Sequence, residues 1–83
     1  MDQHISYHTH VEIINVRNAV YSFKDKNKWT VDQATAIFRY YMSILTAQGV
    51  LSPRMAEREA ERARRFFAFT ETWDQLEDSE DLE

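Results

Sequence analysis

The 83-residue sequence contains no cysteine and only one glycine and one proline. Without cysteine the chain has no disulfide, no thiolate metal ligand and no cysteine nucleophile, which fits the reducing cytoplasm, the localisation we expect. A multi-stranded β protein needs several glycines or prolines in its turns, so the composition favours helices. The first residues have neither a basic start nor an apolar run, and we expect no signal peptide. The longest apolar stretch is short and interrupted by Arg39, so we expect no membrane span.

Signatures of catalysis are also missing from the sequence. A phosphate-binding loop needs several glycines in one short stretch, and a nucleophile elbow needs glycines on both sides of its serine. The acidic residues concentrate in a polar C-terminal segment, where no apolar environment would divide two carboxyls into an acid and a base. We therefore predict that the protein is not an enzyme and uses no cofactor.

Charge is distributed unevenly along the chain, whose formal net charge is −4. The segment 71–83 contains seven acidic residues and no basic one, which leaves ten bases against seven acids in residues 1–70. The protein is better described as a basic body with an acidic C-terminal end. We expect a single helical domain over 1–77 and an acidic tail over 78–83, with the tail exposed to solvent as the simplest interpretation.

Two helices have clear boundary signals. Thr30 and Gln33 form a capping box, in which each side chain accepts a hydrogen bond from the other residue's backbone N–H, and Gly49 ends the helical stretch that follows. Ser52-Pro53 then supplies an N-cap and the residue best suited to the first helical position. These signals predict two helices, over about 30–48 and about 53–77.

The N-terminal region is consistent with either a helix or a strand. Thr9-His-Val-Glu12 is another capping-box pattern, and apolar residues follow it at helical spacing: Ile13, Val16, Val20 and Phe23. The stretch from Ile5 to Ile13 also alternates as a strand would. We favour a helix over about 10–24, which makes the protein an all-α, three-helix domain. The alternative is an N-terminal β-hairpin followed by two helices.

The middle helix has an unusually wide apolar surface. Its apolar residues span about 200° of the helix circumference, whereas an ordinary surface helix shows a stripe nearer to 100°. Such a helix contacts both of the other helices or a second copy of the chain, and a small domain gains stability from dimerising. We therefore predict a homodimer. The residues assigned to the core or to the dimer interface are Ile37, Phe38, Tyr41, Ile44 and Leu45.

The last helix contains a row of arginines on one side. Arg54, Arg58, Arg62 and Arg65 fall within about 80° of each other; we call this set the arginine ladder. Phe69 and Trp73 continue the same line, so it begins cationic and ends aromatic. Interspersed glutamates allow the row to be a solvated face with helix-stabilising ion pairs. Like charges at successive i,i+4 positions repel each other, however, and this favours an acidic partner.

We expect the arginine ladder, with Phe69 and Trp73, to bind another protein, since arginine and aromatic residues are enriched in protein-binding hot spots. A second interpretation is that the ladder receives the acidic tail of its own chain or of a dimer mate. A further alternative is a helix-turn-helix-like DNA-binding regulator that uses the helix 52–65, although its glutamates would repel phosphate. Size and composition are typical of small regulators, inhibitors or adaptors, including those of phages and mobile elements.

Histidines near the N-terminus raise the question of a metal site. A strand would place His4, His8, His10 and Glu12 on one face, where imidazole and carboxylate suit zinc. In a helix that opens at Thr9 these side chains do not converge. Because we favour the helix, we predict no metal site.

Overall fold

The computed structural model describes the backbone of residues 6–81 and the side chains of residues 6–72. Three α-helices follow one another along the chain: α1 (Tyr7–Asn27), α2 (Val31–Ala47) and α3 (Pro53–Asp81). No strand occurs among the described residues. The predicted all-α, three-helix class is therefore confirmed.

Helix α1 begins earlier than predicted and ends later. Its N-cap is Ser6, whose hydroxyl oxygen accepts a hydrogen bond from the Thr9 backbone N–H at 3.1 Å. The capping box predicted at Thr9 is wrong, because Thr9 lies inside the first turn with its side chain buried. The strand alternative is wrong as well for the described residues, since the helix covers them from Tyr7 onward. Lys28 ends the helix in the left-handed conformation, with φ of 60°.

Helix α2 forms as its capping signals predict. The Thr30 backbone N–H donates to the Gln33 side chain at 2.9 Å, and the Gln33 backbone N–H donates to the Thr30 hydroxyl at 3.1 Å. Gly49 follows the helix with φ of 81°, a conformation that costs a residue with a side chain about 1–2 kcal/mol. The Val50 backbone N–H then donates to the Leu45 carbonyl, which completes the C-terminal turn.

Helix α3 starts where Ser52-Pro53 predicts. The Ser52 hydroxyl accepts a hydrogen bond from the Met55 backbone N–H at 3.2 Å and so satisfies one donor of the first turn. The helix continues to Asp81, four residues beyond the predicted end at 77.

The core lies where α2 meets its two neighbours, since α2 packs against both α1 and α3. This position accounts for much of its wide apolar surface without a second copy. Small alanines on α3 allow a close approach, and Phe38, Met42 and Phe67 are the largest fully buried side chains. The other buried apolar residues are Ile13, Val20, Ala34, Leu45, Leu51, Met55, Ala60 and Ala63.

Side chains of α1 also contact α3 directly. The Arg17 guanidinium lies 4.6 Å from the centre of the Phe66 ring, and the Tyr21 ring meets the same phenylalanine edge-on. Nearer the end of α1, the mostly buried Lys24 ammonium donates a hydrogen bond to the Glu71 carboxylate at 3.0 Å. These contacts hold α1 against α3, in addition to its packing against α2.

Candidate protein-binding surfaces

The arginine ladder lies on the side of α3 that faces away from the core. All four of its arginines are exposed and border one open surface together with Glu57 and Glu61. The helical repeat explains this arrangement, because Ala60, Ala63 and Phe67 occupy the opposite side of α3 and are buried. The structure therefore places the four arginines on one continuous face. The fifth arginine of this region, Arg64, lies outside the set, beside the end of α1.

Only half of the ladder is paired with acids of the same helix. Arg62 lies 3.5 Å from Glu59, and Arg65 lies 3.7 Å from Glu61. Within the described residues, Arg54 and Arg58 have no carboxylate within ion-pair distance. Two guanidinium groups at the start of the ladder are thus available to an acidic group from outside.

The glutamate nearest to these two arginines is directed elsewhere. Glu57 lies one position before Arg58, and it binds the Arg39 guanidinium of α2 through both of its carboxylate oxygens. Both oxygens accept from the same nitrogen, Arg39 Nη1, and this charge-assisted contact directs the carboxylate toward α2. The contact therefore engages the i,i+3 neighbour of Arg54, while Glu61, the i,i+3 neighbour of Arg58, pairs with Arg65.

Of the two aromatic residues that continue the ladder, only Phe69 has a described side chain. Phe69 is 56 % exposed and belongs to the same arc of α3 as the four arginines. The Trp73 side chain, the other aromatic group predicted for this surface, lies outside the described residues. The described surface thus combines four guanidinium groups with one large aromatic ring, a composition typical of binding hot spots.

A second surface is an apolar groove between α1 and α2, with a volume of about 560 Å³. We call it the α1–α2 groove. Phe23 and Tyr41 stand at its sides, and both are more than two-fifths exposed. Glu12 is the one charged residue among those that line it. The remaining lining residues are Asn15, Val16, Ala19, Val20, Trp29 and Ile37.

The residues predicted for the core or the dimer interface fall into two groups. Phe38 and Leu45 are buried inside the chain, and Ile37 is half-buried at the α1–α2 groove. Tyr41 and Ile44 are exposed. The wide apolar arc of α2 is therefore divided between the core and the outside.

The sequence does not predict how far two residues of this outer surface, Phe23 and Tyr40, are exposed. The spacing of Phe23 after Val20 predicts a place on the same side of α1, but the Phe23 side chain lies at the edge of that side and is 53 % exposed. Tyr40 is 63 % exposed, and its ring meets that of Tyr41 edge-on. Spacing places Tyr40 within the wide apolar arc of α2, because it lies three residues after Ile37 and four before Ile44, but spacing alone does not show which part of that arc is exposed.

Metal-binding groups do not assemble in the part of the chain that the structure describes. No three histidine, aspartate or glutamate side chains there are close enough to hold an ion. His8 and His10 are exposed on the first turn of α1, and His4 lies outside the described residues. None of the described helices is both long and apolar enough to cross a bilayer.

We compared the chain with known protein families, sequences and structures. No protein-family model, curated protein sequence or solved structure matches this chain.

Proposed function

We propose that this protein is a non-enzymatic interaction module that binds an acidic surface of another protein through α3. The contact surface is the arginine ladder, extended by Phe69 and Trp73. Such a module would act as a small regulator, inhibitor or adaptor. The observation that supports the proposal most directly is the exposure of Arg54 and Arg58 without an ion-pair partner among the described residues.

The chemistry of the ladder explains why an acidic protein is the preferred partner. Each guanidinium group presents several N–H donors in a planar fork, which matches a carboxylate and forms hydrogen bonds stronger than those of neutral groups. Arginines already held in a row by a helix lose less freedom on binding than those on a mobile loop. A partner with carboxylates along a helix or a strand edge therefore gains several contacts at once.

Nucleic acid is the alternative partner, and the glutamates of the same surface argue against it. Glu57 and Glu61 border the ladder, and the phosphate backbone repels carboxylates along its whole length. A protein surface can place its own bases opposite those glutamates and its acids opposite the arginines. The mixed pattern of charges thus fits an acidic protein better than a nucleic acid.

Charge reversal within the ladder tests the proposal. The variant Arg58→Glu/Arg62→Glu should bind a labelled polyglutamate peptide at least about tenfold more weakly than the wild type, a loss of about 1.4 kcal/mol. Fluorescence anisotropy at low ionic strength measures this affinity. The circular dichroism spectrum should remain that of a helical protein, and the melting temperature should fall modestly, because Arg62→Glu removes the ion-pair partner of the largely buried Glu59.

Lys26→Glu/Lys28→Glu is the matched control, since it changes the net charge equally at two exposed bases outside the ladder. We expect this control to retain most of the affinity. An equal loss in both variants would show a general charge effect and no specific surface. The nucleic-acid alternative replaces the proposal if duplex DNA binds more tightly than the peptide and its affinity depends steeply on salt. For each phosphate neutralised, the affinity should then fall by about one logarithmic unit per tenfold rise in salt concentration.

The proposal includes a homodimer. Its support is the outer side of α2, where Tyr41 and Ile44 remain exposed although the helix already packs against both of its neighbours. Exposed apolar groups of this kind gain stability when a second molecule covers them. Self-association would also present two arginine ladders to one partner, which raises the overall affinity when both can bind at once.

A further inference from the structure

We infer that two copies of this chain meet through the outer side of α2, with the α1–α2 groove on its flank. The inference rests on the homodimer included in the proposed function and identifies the surface that forms it. The contact consists of one row of residues along α2 and of the exposed aromatic side chains beside that row. We call the row the α2 seam; it comprises Gln33, Ile37, Tyr40, Ile44 and Ala47.

The spacing of the α2 seam is that of a helix–helix interface. Its members follow one another at intervals of four, three, four and three residues. This alternation keeps one narrow line of side chains directed at a neighbouring helix, as the a and d positions of a heptad repeat do. The seam extends over 14 residue steps, which correspond to about 21 Å of helix.

Apart from Ile37, which packs against the edge of the core, the seam faces away from the core of its own chain. The side of α2 that packs against the core is a different row, made of Ala34, Phe38, Met42 and Leu45, all of them buried. By contrast, Tyr40 and Ile44 are exposed, and Ile37 is only half-buried. Helix α2 thus has a buried apolar row and a second, uncharged row that its own fold leaves mostly exposed.

The absence of charge around the seam indicates what covers it. Between Gln33 and Gln48 the sequence has one charged residue, Arg39, and the hydrogen bonds from its Nη1 to the Glu57 carboxylate direct it toward α3. Depletion of charged residues together with enrichment in tyrosine characterises the centre of protein interfaces. A strongly charged partner would find no counterion along this line.

A second copy supplies a surface of the required kind. In a two-fold dimer each seam meets an identical seam, so uncharged groups oppose uncharged groups and no like charges are brought together. The arginine ladder cannot pair with itself in this way, because arginine would then oppose arginine. Among the two surfaces described, the α2 seam is therefore the one suited to self-association.

The α1–α2 groove makes the same side of the molecule complementary in shape. Tyr40 projects from the seam, while the groove beside it provides an apolar depression of about 560 Å³ between Phe23 and Tyr41. A projecting aromatic ring from one copy can enter the groove of the other, and the two-fold symmetry repeats this contact. Both copies then bury aromatic surface, which contributes strongly to interface stability.

Size-exclusion chromatography with light scattering tests the inference on the full chain. The wild type should be a dimer at micromolar concentration, and Ile44→Lys should raise the dimer dissociation constant by about 100-fold or more, because two buried ammonium groups would be left without partners. Val50→Lys is the matched control, since Val50 is also exposed but lies outside the seam. It should remain a dimer. A monomeric wild type, or a dimeric Ile44→Lys variant, overturns the inference.

Cross-linking provides a second measurement if Ile44→Lys disturbs the helix. The chain has no cysteine, so Tyr40→Cys introduces a single thiol at the centre of the seam, and mild oxidation should join most of the protein into disulfide-linked dimers. Arg58→Cys should give far less of this product, because Arg58 lies on the arginine ladder. Equal yields overturn the inference. Polyglutamate binding by Ile44→Lys separates the two claims, because a monomer that still binds the peptide leaves the ladder proposal standing.

Discussion

The outward sides of α2 and α3 differ sharply in chemistry although the two helices share one core. On α3 the exposed side contains the arginine ladder and the glutamates that border it. On α2 the exposed side contains the α2 seam, which has no charged residue. Charged side chains attract a partner from a distance and select it by sign, whereas an uncharged aromatic surface gains stability only on contact.

This difference shows how a short chain can hold two separate binding surfaces. Each helix uses one side for the common core and has another side for an external contact, so neither surface competes with the fold. If the proposals hold, α2 brings two copies together and α3 binds the acidic partner. A change in one surface should then leave the other intact, whereas a change in the core should damage both.

The largest effect is expected from Phe67→Ala, which removes the support that both surfaces share. Phe67 is completely buried, and truncating such a side chain costs about 3–5 kcal/mol. A chain of this length has a total stability of about 4–12 kcal/mol, so the variant should be largely unfolded or strongly destabilised in urea titrations. Both dimerisation and peptide binding should weaken together.

Phe69→Ala is the matched control for Phe67→Ala, because it removes the same side chain two residues further along α3 from a position that is 56 % exposed. We expect it to cost less than about 1.5 kcal/mol and to weaken peptide binding without affecting the dimer. Equal destabilisation by the two variants would contradict the assignment of Phe67 to the core and of Phe69 to the surface.

A smaller and more selective effect is expected from Glu71→Gln. Lys24 is 7 % exposed and its ammonium depends on the Glu71 carboxylate, so removal of the negative charge leaves a largely buried cation uncompensated. The expected cost is about 1–2 kcal/mol, lower than for a fully buried pair because Glu71 itself is half-exposed. Since the pair joins α1 to α3, amide hydrogen exchange should accelerate in α1 more than at the start of α3.

Glu71→Gln should therefore affect the α1–α2 groove more than the arginine ladder. Loosening α1 disturbs one wall of the groove, whereas the ladder depends on α3 alone. Glu57→Gln serves as the control, because its partner Arg39 is exposed and the pair should contribute less than about 1 kcal/mol. The assignment of Lys24 as a buried anchor is wrong if Glu57→Gln proves as destabilising as Glu71→Gln.

The boundaries that the sequence predicts correctly are those set by local chemistry. Each of these signals acts on the backbone within a few residues. Thr30 and Ser52 accept capping hydrogen bonds, Gly49 adopts a positive φ, and the ring of Pro53 fixes φ at a helical value. The start of α1 could not be chosen in the same way, because Ser6 and Thr9 both offer a capping hydroxyl. In the folded protein Ser6 is the N-cap and Thr9 is buried inside the first turn.

The two candidate surfaces differ in how far the sequence predicts them. The arginine ladder follows from the helical repeat of α3 alone, and the structure indeed places its four arginines on one exposed side. The α1–α2 groove depends on how α1 lies against α2, and this follows from contacts between residues far apart in sequence. For that reason the exposure of Phe23 was not apparent from its spacing.

The smallest effect is expected from Arg58→Ala, which isolates the contribution of the ladder to folding from its contribution to binding. Arg58 is exposed and, among the described residues, has no ion-pair partner, while Arg54 and Arg62 lie four residues away on either side. Removing it relieves like-charge repulsion at two i,i+4 pairs, so the free energy of unfolding should change by less than about 0.5 kcal/mol and should increase at low salt. Peptide binding should weaken in the same buffer. A clear destabilisation that salt does not alter would mean that the arginine packs as part of the fold, and the charged side of α3 would then resemble the core more than a surface kept for a partner.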